Sequence, residues 1–251
     1  PSSDPSYMEA CRVVHQNQQP DHQNPIVVVG VEQVYSAEQQ VKFFECQQQM
    51  KDPTPAPLYK FHGTDKAGVD GICMDGFRQP TAEEPNMDKK SGGTKLPMCA
   101  LFCSCPLALI GHKLATLFML SLRRLPFHRY GHGVYLASDS TKSAQQTYTQ
   151  GSNIILVCKT LLGKCLTLDK PDNHLDLKSI RKKGFDSVFA PAGTAVRFDE
   201  YIVYDARQSV VEWVVHFKPG NAKPDHALPW SVQGQTVGRA TCRELVEAKL
   251  G

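Results

Sequence analysis

Three short blocks of the 251-residue sequence carry residue types that can do chemistry: FHGT at 61–64, YGHGVYLASDSTKSAQQTY at 130–148 and FDEYIVYD at 198–205. Gly63, Gly131 and Gly133 let backbone come close to a ligand. Tyr135 and Tyr148 offer flat faces to an aromatic ring, and Ser143 offers a hydroxyl that both donates and accepts. Glu200 stands just ahead of an apolar run, where a carboxylate is costly unless it has a partner or faces a cleft. Taken singly, each has a plain structural reading. A strand-end His62 or Glu200 can be structural or solvated, and Gly-His-Gly is an ordinary turn.

Those residues need strands to hold them. IVVVGVEQVY from Ile26, LYKFHG, GVYLAS, NIILVCK, DSVFAP, EYIVYD and SVVEWVVHF are β-branched or alternating runs that predict strands. In the last, Val211, Trp213, Val215 and Phe217 fall on one face and Glu212 and His216 on the other. Ser36 followed by Gln39 resembles a capping box. Val41, Phe44 and Met50 then recur at helical spacing, which predicts a helix over 36–51. PTPAP at 53–57 stops it. Two further helices are expected, one over about 107–124 and a turn or two near 140–148. The class is α+β and strand-dominated, without βαβ rhythm or repeats.

The charge balance, 28 Lys+Arg against 25 Asp+Glu for a net +3, is too even for a general nucleic-acid footprint. Nine cysteines in a chain of this size do not read as a small disulfide framework, so the expected location is intracellular, in nucleus or cytoplasm. The apolar stretch Leu107–Leu122 contains Gly111, His112 and Lys113 and falls short of the roughly 20 residues of a membrane span. It reads as a buried helix, and no membrane partner is expected. Residues 1–25, rich in Gln, Asn, His and Pro, read as a polar tail. Residues 219–251 read as a C-terminal extension with Thr241 capping a short helix. The absence of an initiating Met makes the chain a fragment on this reading.

In this order the three blocks resemble the poly(ADP-ribose) polymerase family of diphtheria-toxin-like ADP-ribosyltransferases, whose signature is a His, a Tyr and a Glu on separate strands. His62 in FHGTDKAGVDGICMDGFR, Tyr135 in YGHGVYLASDSTKS and Glu200 in DEYIVYD carry the resemblance, which spans about residues 26–217. It implies an ADP-ribosyltransferase fold: two antiparallel sheets around an NAD cleft, a few flanking helices and an enlarged donor-loop insertion. NAD would be the co-substrate and protein side chains, including the chain's own, the acceptors. Breaking the nicotinamide–ribose bond passes through an oxocarbenium-like cation. By the resemblance Glu200 stabilises that charge through the ribose 2′-hydroxyl, and His62 binds the adenosine ribose. Gly63 and Ser143 take the nicotinamide amide, Tyr135 and Tyr148 sandwich its ring, and Thr64 and Arg78 contact adenosine ribose and phosphate. The second tyrosine comes five residues after Ser143, as in mono-transferases. Gln146 occupies the position it has in the DNA-damage polymerases.

Product length is pulled both ways. Family members that extend chains keep the Glu, whereas HGTD, the helix before it and SAQQTY resemble the mono-transferases. Mono or short-chain transfer is the favoured expectation. The 61 residues ahead of His62 are too few for a helical regulatory subdomain. Residues 79–129 stand where a shorter donor loop is usual. Their Cys99, Cys103 and Cys105, with His112, have zinc-ligand types, but CxxxCxC spacing is poor for one knuckle and no metal is expected. A chain-extending polymerase, an NAD glycohydrolase and an inactive NAD-site interaction module are the alternatives. The run KSIRKKG at 178–184 reads as a solvated helix end, so nucleic acid is not an expected partner.

Overall fold

The β-branched runs pair into one eight-stranded sheet in a computed structural model that describes residues 4–19, 25–50, 57–79 and 129–220. The strands are β1 (Ile26–Gln33), β2 (Leu58–Gly63), β3 (Val134–Ala137), β4 (Ile154–Thr160), β5 (Cys165–Thr167), β6 (Ser187–Ala190), β7 (Glu200–Val203) and β8 (Ser209–Pro219). Their order is β1-β8-β4-β2-β3-β7-β6-β5. The helices are α1 (Pro5–Gln16), α2 (Ala37–Gln49), α3 (Lys66–Asp75), α4 (Ser140–Ser143), α5 (Gln146–Thr149) and α6 (Leu177–Lys182). Among the described residues no helix is long and apolar enough to cross a membrane.

The expectation of two separate antiparallel sheets is corrected in two respects. The ladder is continuous, and β5 pairs with β6 in parallel. The continuity is thin, because β2 and β3 are joined through the single pair Phe61↔Ala137. On one side of that seam, β4 is buried along almost its whole length and alternates between two cores. Ile155 and Val157 pack with Ala10, Cys11, Val13 and Val14 of α1. Ile154, Leu156 and Cys158 pack with Val69 and Cys73 of α3. A central strand covered on both faces reads as a continuous apolar run for this reason. Across the seam, Val188, Ala190, Ile202 and Tyr204 form a third core with Ile180 of α6.

Three local expectations change. The supposed tail contains α1, capped by Asp4 with Pro5 in its first turn and buried through residues 10, 11, 13 and 14. Each buried Val is worth about 1.5–3 kcal/mol, so α1 is part of the core. Helix α2 forms with its Ser36 cap, but its inner face is Gln39, Phe43 and Cys46. Val41 and Phe44 are exposed. Gln39 wins the inner position because its amide donates to the Cys73 and Met74 carbonyls at the end of α3. In β8, Val157 pairs with Trp213 but Cys158 with Val211, so Glu212 is an extra, bulged residue. The bulge rotates Val211 onto the α3 face beside Val214, leaving Trp213, Val215 and Phe217 on the α1 face. The expected helices at 107–124 and after Thr241, and the stop at 53–56, lie outside the described residues. Helix α3 was not expected from the sequence.

Asp205 ties several elements together. It accepts from the Arg207 backbone and guanidinium at 2.8–3.1 Å and from Arg181 of α6 at 3.1 Å, while Arg207 reaches Gln49 of α2. Burial pushes the Asp205 carboxyl up, but the Arg207 hydrogen bonds and both arginine charges overcome this and hold it below the ordinary value. A carboxyl depressed in the folded state stabilises above the unfolded value of about 4 and loses that stabilisation as pH falls through the folded value. Asp205→Asn is therefore expected to cost about 1–2 kcal/mol at pH 7, a figure discounted because both arginines are partly exposed. In urea titrations the gap between variant and parent should close at acid pH.

Candidate active site

The three blocks, far apart in sequence, fall on three neighbouring strands. β2 carries His62, β3 carries Tyr135 and β7 begins at Glu200. Across them run the pairs Phe61↔Ala137 and Ala137↔Glu200, so the seam of the sheet passes through the candidate site.

His62 is held by its backbone pairing with Leu156 and by its ring. Nδ1 lies 2.9 Å from the Tyr135 carbonyl, and the imidazole meets Phe77 edge-to-face with centroids 5.2 Å apart. A carbonyl only accepts, so Nδ1 carries a proton, the tautomer that in a neutral imidazole makes Nε2 the acceptor. The Tyr135 hydroxyl donates to the Gly131 carbonyl at 3.0 Å and accepts from the Tyr130 N–H at 2.9 Å. Burial drives its phenol pKa upward. Tyr135 is thus a fixed, neutral ring, suited to stacking and not to proton transfer.

Gly63 brings the second block against the first. A Cβ on Gly63 would lie 2.1 Å from the Ser143 carbonyl oxygen and 2.9 Å from Tyr148 Cβ. Without that Cβ, α4 and α5 close onto the end of β2, placing Ser143 and the half-exposed Tyr148 beside Gly63. The five-residue spacing from Ser143 is the one that does this; Gln146 is exposed at the start of α5.

A residue that the sequence reading missed completes the site. Lys142, directly before Ser143, points its ammonium at Glu200, with Nζ–Oε1 2.5 Å and side chains 9% and 17% exposed. Helix α4 is aimed by its cap, Asp139, whose carboxylate accepts from the Thr141 and Lys142 N–H groups and from the Thr141 hydroxyl. The available signal was a lysine inside an otherwise small-residue segment, STKS, but four residues have no periodicity to say which way it faces. Removing one partner of a mostly buried pair strands the other charge. Lys142→Met is expected to destabilise by about 3 kcal/mol, and Lys142→Met with Glu200→Leu to recover most of that. Urea unfolding of the two variants checks this.

Thr64 and Arg78 are not drawn into the group. The Thr64 hydroxyl packs where a Gly68 Cβ would stand, at the start of α3. Arg78 is 77% exposed and paired with Asp75. Among the described residues no group of three or more His, Cys, Asp or Glu could hold a metal ion. Cys99, Cys103, Cys105 and His112 lie outside them, while Cys11, Cys46, Cys73, Cys158 and Cys165 are not joined in disulfides.

Comparison with known proteins is consistent with this geometry. The family model for the poly(ADP-ribose) polymerase catalytic domain matches residues 98–196, which include Tyr135, Ser143 and Tyr148. The match begins within the stretch read as an insertion and ends four residues before Glu200. Protein mono-ADP-ribosyltransferase PARP4 of Mus musculus is 32% identical over 109 residues, covering 40% of this chain and 5% of the mouse protein. The protein of the same name from Homo sapiens is 29% identical over 113 residues, covering 41% of this chain and 6% of the human one.

Proposed function

As a member of the poly(ADP-ribose) polymerase catalytic-domain family, matched over residues 98–196, this chain is, we propose, an NAD-dependent ADP-ribosyltransferase that moves ADP-ribose onto protein side chains and releases nicotinamide. The observation that carries the reading is the convergence on one seam of Gly63, Ser143 and Tyr148 with a Glu200 carboxylate anchored by Lys142. The residues suit the ligand. A backbone N–H and carbonyl at Gly63 and the hydroxyl of Ser143 can meet both ends of a carboxamide, and Tyr135 and Tyr148 supply ring faces. NAD supplies the glycosidic bond that is broken.

The chain's own part is electrostatic. Glu200, held in place by Lys142, presents its carboxylate where positive charge develops as the bond lengthens, and it need not reorganise to do so. Lys142 acts through Glu200 as a positioning residue. His62, with its proton directed to the Tyr135 carbonyl, presents Nε2 as an acceptor for a ribose hydroxyl.

Mono or short-chain transfer is the form proposed, supported by the mono-ADP-ribosyltransferase names of the two relatives and by the Tyr148 spacing. An intracellular location belongs to the same reading. Adenylate-labelled NAD incubated with the chain and a protein extract tests it. Discrete labelled bands are expected. Ladders would mean chain extension, free ADP-ribose without labelled protein would mean a glycohydrolase, and no NAD consumption would sink the reading.

A further inference from the structure

The N-terminal helix ends directly on the active-site turn. A helix leaves its last carbonyls without internal partners. At the end of α1 the Val14 carbonyl accepts from the Ser140 hydroxyl at 2.7 Å, and the carbonyl of Asn17, which caps the helix, accepts from the Ser140 N–H at 2.9 Å. The Gln19 N–H in turn donates to the Thr141 hydroxyl at 3.3 Å. Ser140 is fully buried and is the first residue of α4, two before Lys142 and three before Ser143. Ala144, just past α4, packs against the core cluster that contains α1. The helix itself is pinned at its other end by Trp213 Nε1 on Ser6 Oγ, 2.9 Å.

Resting on the functional reading above, we propose that α1 is a positioning element of the reaction site and that Ser140 is the residue through which it acts. With its four residues, α4 has too few internal hydrogen bonds to hold its own orientation. Its placement comes from Asp139 on one side and the end of α1 on the other. Together they fix Lys142 toward Glu200 and the Ser143 backbone against Gly63. Displacement of α1 therefore reaches Glu200 and Ser143 without any contact between α1 and the substrate.

The test compares Ser140→Ala with Val210→Ala, which loosens the remote core around Phe43 and Leu161, both in the 251-residue chain. In Ser140→Ala, hydrogen exchange at residues 142–145 should speed up about tenfold, the scale of one lost hydrogen bond, while β4 and β8 amides stay unchanged. The kcat for NAD consumption should fall by a similar factor, and Val210→Ala should move neither readout. Unchanged exchange at 142–145, or equal loosening of β4 and β8, overturns the proposal. If the parent chain consumes no NAD, the functional reading fails, and the exchange arm still decides the coupling. Should Ser140→Ala not fold, Ser140→Cys, somewhat larger but only a weak donor, carries both readouts.

Discussion

Glu200→Gln is expected to lower kcat for NAD consumption about 1,000-fold, close to 4 kcal/mol of lost stabilisation, while KM for NAD changes little. Glutamine keeps the shape and can still hydrogen-bond a ribose hydroxyl, so ground-state binding survives. It removes the negative charge. That charge matters only as the glycosidic bond stretches, and an interaction made only then affects kcat and kcat/KM equally. The Lys142 ammonium, 2.5 Å from Glu200 Oε1 and 9% exposed, makes the loss worse. Facing a neutral amide, it becomes the strongest local charge and has the wrong sign for a developing cation. Steady-state kinetics with nicotinamide release as the signal check this. If the glutamine variant kept a tenth or more of the parent kcat, Glu200 would not be the charge-stabilising group.

The pairing of these residues marks the limit of what the sequence disclosed. His62, Tyr135 and Glu200 were legible because the three ordered blocks that contain them resemble one family, and the strands that carry them were legible as short apolar and aromatic runs. Their adjacency was not legible, since it depends on β3 and β7 following β2 in the sheet. Lys142 was hidden because a four-residue helix has no period. Helix α1 was hidden by the Gln and Asn residues that follow it, although Asp4 ahead of Pro5 is a helix-start signal. The inner face of α2 was misassigned because hydrophobicity chose Val41 and Phe44, whereas hydrogen bonds from Gln39 to the end of α3 chose the opposite face. The bulge at Glu212 left no trace in the sequence, because the apolar residues on both sides of it, Val210 and Val211 before and Trp213 to Val215 after, suit either face. Where packing partners decide orientation, a single chain's pattern gives the element and not its facing.

Gly63→Ala tests whether close approach of two backbones, and not any side chain, builds the corner proposed to bind the amide. The added methyl would sit 2.1 Å from the Ser143 carbonyl oxygen, far inside contact distance, and 2.9 Å from Tyr148 Cβ. Neither obstacle is the tip of a flexible chain, so α4 must retreat by on the order of 1 Å, a displacement that can cost about 100-fold in rate. The retreat would carry Ser143, Tyr148 and Lys142 away together. Activity should therefore fall at least that far, with a rise in KM for NAD that Glu200→Gln lacks, because the corner binds the ground state as well. Gly71→Ala provides the contrast. Gly71 lies inside α3 with nothing within 4 Å of the added Cβ. Alanine there should raise stability by about 0.5–1 kcal/mol and leave turnover alone. Thermal unfolding beside NAD kinetics on both variants separates the cases, and a Gly63→Ala protein with parent-like KM would remove the close approach from the binding corner.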